Sequence, residues 1–276
     1  MKSSALKVII TGATDGIGLV NAKKFAQTGH ELILHGRNHD KLKNIQNEII
    51  ESINPKCKIY TYQADLSEID QVHDLVSLIN NDHDSLDILI NNAGVYTEKF
   101  IKNSIEMEIT FAVNVAAPFI LFNGLLPLLK KSNKKSRILN VSSISQGGKI
   151  NINNLQLLEN NAWSAHRSYS NSKLLIAALS KELSERISLD ECIVMSCDPG
   201  TVNTKMLLSG WGPIGIDVND ALHEYELMTS YSDDELNQMH GNYYVSHRES
   251  RCCTDVYNKE LREELWNQLM NLTRSK

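Results

Sequence analysis

The sequence predicts an α/β fold in which helices cover both faces of a doubly wound parallel β-sheet. Short apolar segments rich in β-branched residues alternate with longer segments of helical periodicity. A glycine-rich turn joins the first apolar segment to the first helical one. No proline- or serine-rich linker divides the 276 residues, so we expect a single domain.

Composition narrows the function classes. The net charge is −5 and no long basic block occurs, so we expect no broad nucleic-acid-binding face. Five cysteines without metal-ligand spacing favour a reducing compartment and no metal site, and we expect a cytoplasmic protein. The most apolar region, residues 111–129, is interrupted by Asn114, Pro118, Asn123 and Pro127, so we expect no membrane span.

The first strand–helix unit carries a phosphate-binding pattern. Residues 6–10 predict a buried strand, which leads into Gly12, Gly16 and Gly18 and then into a helix that ends at Gly29. Glycines in this setting let the backbone turn tightly and let a pyrophosphate approach the helix N-terminus. The pattern predicts nucleotide binding; the alternative is a plain turn with incidental glycines.

The end of the second predicted strand, residues 31–35, bears on the choice of cofactor. Gly36 and Arg37 follow the strand, and no acid stands there. An acid would bind the free 2′-hydroxyl of NAD, whereas an arginine pairs with the 2′-phosphate of NADP. NADP is therefore expected and NAD is less favoured, although Asp15 argues for NAD if its carboxylate faces the phosphate. An ordinary surface arginine is the alternative interpretation of Arg37.

The remaining elements continue the alternation. Strands are predicted at 58–62, 86–90, 137–141 and 192–197. Helices are predicted at 40–53, 104–115, 118–131 and 168–186, and a further helix is expected to begin after Ser67, its N-cap. The tail predicts helices at 217–229, from 232 and at 255–272, with a short strand at 242–245. Residues 5–204 would form the cofactor-binding and catalytic core, and residues 205–276 the lid and C-terminal elements. Three glycines and a proline in 207–215 favour a mobile lid.

Tyr169 and Lys173 lie four residues apart in an apolar-periodic helix. Residues i and i+4 share one helix face, so the phenol and the ammonium are expected to be neighbours. A cation beside a phenol favours the phenolate and lowers its pKa, which makes the tyrosine usable as an acid or base. A core-edge tyrosine with a solvated lysine is the alternative when the pair is considered alone.

Several further motifs stand at the predicted strand–helix junctions. With the pair above they are Thr11-Gly12-x-x-x-Gly16-x-Gly18, Asp65-Leu66, Asn91-Asn92-Ala93-Gly94, Asn114, Ser143, Tyr169-x-x-x-Lys173 and Pro199-Gly200-x-Val202-x-Thr204. Together they resemble the short-chain dehydrogenase/reductase family, with its Rossmann fold, along nearly the whole chain. The segments Gly148-Lys149-Ile150, Asn154-Leu155-Gln156 and Gly241-Asn242-Tyr243-Tyr244 are similar to the retinol-dehydrogenase-like branch.

The resemblance implies a catalytic set. Tyr169 would be the acid in carbonyl reduction and the base in alcohol oxidation, and Lys173 would lower its pKa and bind the nicotinamide ribose. Ser143, rather than Ser142, would hold the substrate oxygen. Asn114 would bind a water that links Lys173 to solvent; the alternative is a helix residue that satisfies backbone groups.

The resemblance also implies binding sets. The cofactor would contact Thr11, Gly12, Thr14, Asp15, Gly16, Ile17, Gly18, Arg37, Asp65, Leu66, Asn92, Ala93, Gly94, Tyr169, Lys173, Pro199, Gly200, Val202 and Thr204. The substrate would face mostly apolar side chains, which suggests a lipophilic small molecule: Val95, Tyr96, Ile144, Trp163, Met206, Leu207 and Trp211.

The expected function is an NADP-dependent oxidoreductase that interconverts a carbonyl and an alcohol. A non-catalytic NAD(P)-binding regulator is one alternative, although this chain keeps the serine, tyrosine and lysine. An epimerase or dehydratase relative is less favoured, because only about 70 residues follow Thr204. By analogy with relatives, we expect a homodimer or homotetramer.

Overall fold

The computed structural model describes residues 5–159 and 161–274, and its centre is an eight-stranded sheet. The strands are β1 (Lys7–Ile10), β2 (Glu31–Gly36), β3 (Ile59–Gln63), β4 (Ile88–Asn91), β5 (Arg137–Val141), β6 (Ile193–Asp198), β7 (Tyr243–Val245) and β8 (Arg248–Ser250). They lie in the order β3-β2-β1-β4-β5-β6-β7-β8. Neighbouring strands are parallel except β7 and β8, which form an antiparallel hairpin. The predicted doubly wound parallel sheet is confirmed, and β8 is an addition.

Helices pack on both faces of this sheet. They are α1 (Gly16–Gln27), α2 (His39–Ser52), α3 (Ile69–Asp82), α4 (Ile109–Phe111), α5 (Ala117–Lys130), α6 (Ala165–Arg186), α7 (Lys205–Gly210), α8 (His223–Thr229), α9 (Asp233–Met239) and α10 (Lys259–Leu272).

Two apolar cores follow from the alternation of side chains along the strands. On β1, Ile9 enters a core shared with α3, α5, α6 and α10, whereas Val8 and Ile10 enter the opposite core, shared with α1 and α2. All three side chains are fully buried. Burial on both faces explains why the central strands read as continuous apolar runs in the sequence.

The long apolar helix differs from its prediction. A π turn, Ala112–Ala116, joins α4 to α5, so the two predicted helices are one continuous helix, Ile109–Lys130. Pro118 closely follows the π turn, and buried neighbours such as Phe119 and Leu128 hold the helix together around Pro118 and Pro127. By length and hydropathy this helix is able to cross a membrane, and 78% of its apolar window is buried inside the fold.

Three smaller expectations were wrong at element ends. The helix expected at 217–229 is a 3₁₀ turn, Val218–Asp220, followed by α8, and a second such turn, Thr254–Tyr257, precedes α10. The N-cap of α3 is Glu68, because the Ser67 hydroxyl donates to Asp65 Oδ1 over 2.8 Å. The lid segment also contains a short helix, α7.

Candidate active site

A cleft of about 890 Å³ opens at the carboxyl ends of the parallel strands, where the order of the strands reverses between β1 and β4. The predicted cofactor residues line it, with the exception of Thr11: Gly12, Thr14, Asp15, Gly16, Ile17, Gly18, Arg37, Asp65, Leu66, Asn92, Ala93, Gly94, Tyr169, Lys173, Pro199, Gly200, Val202 and Thr204. Side chains from separate loops thus meet in one continuous cavity.

The glycine loop has a backbone that side chains would obstruct. Gly12 and Gly16 adopt φ of +67° and +55°, in the left-handed region that glycine tolerates. A Cβ on Gly18 would lie 2.5 Å from the carbonyl oxygen of Gly12, so the first turn of α1 packs directly on the loop. The first turn of α1 therefore reaches the cleft, and the Ile17 and Gly18 amides, which have no intrahelical partner there, are placed to bind an anion.

Thr11 does not line the cleft, and its side chain instead bonds to the end of the neighbouring strand. Its hydroxyl accepts from the amide of Ala93 over 3.0 Å, and Asn92 Nδ2 donates to the Thr11 carbonyl over 2.7 Å. These bonds join the ends of β1 and β4. The expectation that Thr11 contacts the cofactor is not supported, because its side chain is buried between the two strands.

Asp15 binds protein groups at the mouth of the cleft. Its carboxylate accepts from the Gly16 amide over 2.9 Å as the N-cap of α1, and it pairs with Lys205 of the lid. The hydrogen bond from Lys205 is the main cause that lowers the pKa of Asp15. From the sequence, Asp15 argued for NAD if its carboxylate faced the 2′-phosphate of NADP. Because Lys205 partly neutralises this carboxylate, that argument no longer favours NAD.

The end of β2 presents two cations to the cleft. Arg37 and Lys41 both line it, and Asn38 between them caps α2 by accepting from the Lys41 amide over 2.9 Å. Lys41 was missed from the sequence; its place one turn beyond Arg37 was the available signal. Asp65, which follows β3 and also lines the cleft, accepts from the amide and hydroxyl of Ser67.

Ser143, Tyr169 and Lys173 meet at the inner end of the cleft. The Ser143 hydroxyl, which lies against Tyr169, accepts from the Ser145 amide over 3.0 Å. Lys173 Nζ donates to the Val141 carbonyl over 2.9 Å and lies 5.6 Å from the centre of the Tyr169 ring. Ser142 donates to the Lys173 carbonyl over 2.7 Å, so its hydroxyl is engaged with the α6 backbone, and the preference for Ser143 agrees with the geometry.

The electrostatics of the pair differ from the expectation. Burial raises the pKa of Tyr169 to about 12, against a lowering effect of the Ser143 hydroxyl. Burial also lowers the pKa of Lys173 to about 8. We expected Lys173 to lower the pKa of Tyr169, and in the chain without cofactor this expectation was wrong. Burial disfavours the charged form of both groups, the phenolate and the ammonium.

Asn114 lies in the π turn between α4 and α5. Its Oδ1 accepts from the Val95 amide over 2.8 Å, and its Nδ2 donates to the Val95 carbonyl and to Ser172 Oγ, each over 3.0 Å. The structure thus supports the alternative interpretation, an asparagine that satisfies backbone groups. Its Oδ1 and Lys173 Nζ would each lie 3.4 Å from a Cβ at Gly94, so the two side chains border the same space.

The outer end of the cleft is apolar. Five of the expected substrate residues line it: Val95, Ile144, Met206, Leu207 and Trp211. Tyr96 lies behind this surface, with its ring 4.9 Å from Trp211 and 5.8 Å from Tyr169. Trp163 was a wrong expectation: it packs 5.5 Å from the Phe100 ring, and its Nε1 donates to Glu108 over 3.3 Å.

A buried carboxylate organises the loops beside the catalytic groups and was also missed. Asp198, at the end of β6, accepts from the Ile144 amide over 2.9 Å and from the Gly200 amide over 2.8 Å. It therefore holds the loop after β5, which carries Ser143, against the loop after β6. The aspartate before Pro199-Gly200 was the sequence signal.

A sequence model of the family described as short chain dehydrogenase matches residues 6–210. The chain belongs to the short-chain dehydrogenase/reductase family. Its curated relatives place it in the retinol-dehydrogenase-like branch. Human polyprenol dehydrogenase is 29% identical over 285 residues, which cover 96% of this chain and 84% of that protein. Mouse retinol dehydrogenase 11 is 33% identical over 199 residues, which cover 72% of this chain and 62% of that protein.

Solved structures agree on the fold of this short-chain dehydrogenase. The crystal structure of L-sorbose reductase from Gluconobacter frateurii, complexed with NADPH and L-sorbose, has a TM-score of 0.67 at 21% identity and covers 88% of this chain and 95% of that one. The NADPH-bound carbonyl reductase from chicken fatty liver has a TM-score of 0.68 at 20% identity, and the match covers 90% of this chain and 99% of that one. At these identities the similarity supports the fold.

Proposed function

We propose that this short-chain dehydrogenase is an NADP(H)-dependent enzyme that interconverts a carbonyl and an alcohol on a lipophilic small molecule. The observation that carries the proposal is the convergence of Ser143, Tyr169 and Lys173 at the inner end of the cleft. The glycine loop and the two cations, Arg37 and Lys41, line the part of the same cleft that would hold the cofactor. Family membership supports the oxidoreductase class, and the geometry supports the roles of these residues.

The cleft fits a nicotinamide dinucleotide. The glycine loop and the first turn of α1 line the cleft without bulky side chains, and the α1 amides suit a pyrophosphate. Arg37 and Lys41 supply the charge that a 2′-phosphate would require. The bound nicotinamide would supply or accept the hydride. That two structural neighbours were solved with NADPH is consistent with this choice.

The protein groups handle the proton and the developing charge. With its pKa near 12, Tyr169 is a neutral phenol at working pH, the form that donates a proton to a carbonyl oxygen. Ser143 holds that same oxygen by a hydrogen bond. Lys173, with a pKa near 8, exchanges protons readily near neutral pH. In these protonation states the chain itself carries the proton that carbonyl reduction consumes.

The substrate class follows from the outer end of the cleft. Its lining side chains, including Met206, Leu207 and Trp211, offer apolar contact rather than hydrogen bonds. Two of the relatives are named for polyprenol and retinol, which are lipophilic alcohols. We propose a substrate in which the reacting oxygen is attached to an extended apolar group.

The proposal is tested by NADPH consumption with a panel of apolar aldehydes and ketones. Tyr169→Phe removes the proton donor and keeps the ring, so we expect turnover to fall by about 10²- to 10⁴-fold while NADPH binding is retained. Tyr60→Phe is the matched control, because Tyr60 lies on β3 and does not line the cleft. Full activity in Tyr169→Phe would exclude the mechanism, and NADPH binding without turnover in wild type would favour a regulator.

A further inference from the structure

Three metal-ligating side chains converge outside the catalytic centre. His223 and Glu226 stand one turn apart on α8, and His247 lies in the turn between β7 and β8. His247 Nε2 is 2.5 Å from His223 Nδ1 and 2.8 Å from Glu226 Oε2, and the His223–Glu226 distance is 3.9 Å. These ligand atoms all lie within 4.8 Å of one another.

Local structure explains why the three meet. Positions i and i+3 of a helix face the same side, which pairs His223 with Glu226. The β7–β8 connection consists of Ser246 and His247, and Ser246 adopts a left-handed φ of 55°, uncommon for a residue other than glycine. The tight turn holds Ser246 in this conformation and places the centre of the His247 ring 4.3 Å from the centre of the His223 ring.

The donor set has a specific chemistry. Two imidazoles and one carboxylate form a ligand set that binds Zn²⁺ and leaves a fourth position for water. The imidazole side chains expose 18% and 39% of their surface and the carboxylate 42%, so solvent reaches the cluster. Within the described ranges 5–159 and 161–274, no lysine or arginine forms an ion pair with Glu226 that would compete with a cation.

The geometry requires a small adjustment. Zn–N bonds of about 2.0–2.1 Å in a tetrahedral site place two imidazole nitrogens roughly 3.3 Å apart. The present separation is 2.5 Å, so the rings would move apart by less than 1 Å. Two nitrogens this close do not both carry protons, whereas a cation between them uses both lone pairs.

We propose that His223, Glu226 and His247 bind a divalent transition metal of the zinc class. The site lies behind the cleft, since a Cβ on Gly200 would be 3.6 Å from His223 Nε2 and 3.3 Å from Ser246 Oγ. A bound metal would cross-link α8 to the hairpin beneath the Asp198–Gly200 loop. The proposal is independent of the proposed oxidoreductase activity, and no metal site was expected from the sequence.

Calorimetric titration of the full chain with Zn²⁺ tests the site. The protein is prepared without a histidine tag, treated with a chelator and dialysed. We expect one Zn²⁺ per chain and a higher melting temperature with Zn²⁺. Replacing a residue that only orients a metal ligand typically lowers metal affinity by about 10–100-fold. His247→Gln removes a ligand itself, so we expect Zn²⁺ binding to weaken by at least about 100-fold. His39→Gln, at an exposed position on α2, is the control.

Each result has a defined meaning. Saturable binding in wild type and in His39→Gln, lost in both His247→Gln and His223→Gln, supports the site. Two variants on different elements guard against a folding defect, which circular dichroism would also reveal. Cys252→Ser with Cys253→Ser must retain binding, because loss there would assign the metal to the thiols. Absence of one-to-one binding, or undiminished affinity in His247→Gln, overturns the proposal, whatever NADPH turnover shows.

Discussion

The two ends of the cleft are built differently. At the cofactor end, backbone conformation and hydrogen bonds between residues distant in sequence hold the loops, as between Asn92 and the Thr11 carbonyl. At the substrate end, α7 has no buried residue, and Leu208 and Ile214 expose 47% and 67% of their surface. The first end is shaped before any ligand arrives, whereas the second is shaped mainly by side chains on a thinly packed segment.

The segment expected to form a lid is attached at its base and loosely packed at its tip. Asn203 exchanges hydrogen bonds of 2.7 and 2.8 Å with Gly215, and Val202 pairs with Ile216. Between these points, the Asp15–Lys205 ion pair connects the lid to the glycine loop. Segments with few buried contacts open most easily, so the contrast suggests a rigid cofactor site with an adaptable substrate site.

In the comparison of the two ends, the largest effect on ligand affinity is expected from the cations at the cofactor end. Arg37→Gln combined with Lys41→Gln removes both charges that line the end of β2. Because charge-assisted hydrogen bonds contribute about 1.5–3 kcal/mol, NADPH affinity should fall by about 10- to 100-fold and NADH affinity should change little. Fluorescence titration with both cofactors measures the split, with Lys43→Gln, exposed on the same helix, as control. Equal losses for NADPH and NADH would contradict a 2′-phosphate contact.

A substitution in the glycine loop tests whether the cofactor end is too closely packed to accept an added methyl group. In Gly18→Ala the new Cβ would meet the Gly12 carbonyl oxygen and Asn92 Nδ2, each at 2.5 Å. Overpacking of this kind costs about 1–3 kcal/mol, so both stability and NADPH affinity should fall. Denaturant unfolding measures the first and fluorescence titration the second. Gly147→Ala, whose nearest neighbour would be 3.7 Å away, should leave both nearly unchanged; a similar loss there would argue against local crowding.

Lys173 lies where the two ends of the cleft meet, and its pKa tests whether that position is buried. Burial lowers the pKa of Lys173 from 10.5 to about 8, so between these values the unfolded chain binds a proton that the folded chain does not. Stability of wild type relative to Lys173→Met should therefore rise with pH, by about 2 kcal/mol from pH 7 to 9.5. Paired denaturant unfolding curves measure this difference. A difference that stays constant with pH would show a solvated lysine.

The smallest effect is expected at the substrate end. Trp211→Ala removes a lining side chain whose ring packs at a tilt against Tyr96, with 4.9 Å between the ring centres. Aromatic contacts contribute about 0.5–1.5 kcal/mol, so KM for a large apolar carbonyl should rise by about 2- to 10-fold with kcat little changed. Trp163→Ala is the control, since Trp163 packs outside the cleft. A large fall in kcat would mean that the lid positions catalytic groups and is less adaptable than the contrast implies.

Local patterns predicted most of the fold. The parallel strands and their order of appearance, the glycine turn and the Tyr169–Lys173 spacing were correct, because each depends on residues adjacent in the chain or one turn apart. The ends of α8 and α10 were misjudged, since 3₁₀ turns continue the helical periodicity at the sequence level. Strand β8 was missed, because its exposed residues lack an apolar pattern.

Local patterns in the chain predict which chemical groups lie at the carboxyl edge of the sheet. The contacts that each group makes there depend on the tertiary structure. The partners of Thr11 and Asn114, the raised pKa of Tyr169 and the different surroundings of Tyr96 and Trp163 depend on burial and on contacts between distant segments. The meeting of His223 with His247 likewise depends on the packing of α8 against the β7–β8 hairpin. Side-chain hydrogen bonds and desolvation act over a few ångströms in space, and sequence periodicity does not report those distances.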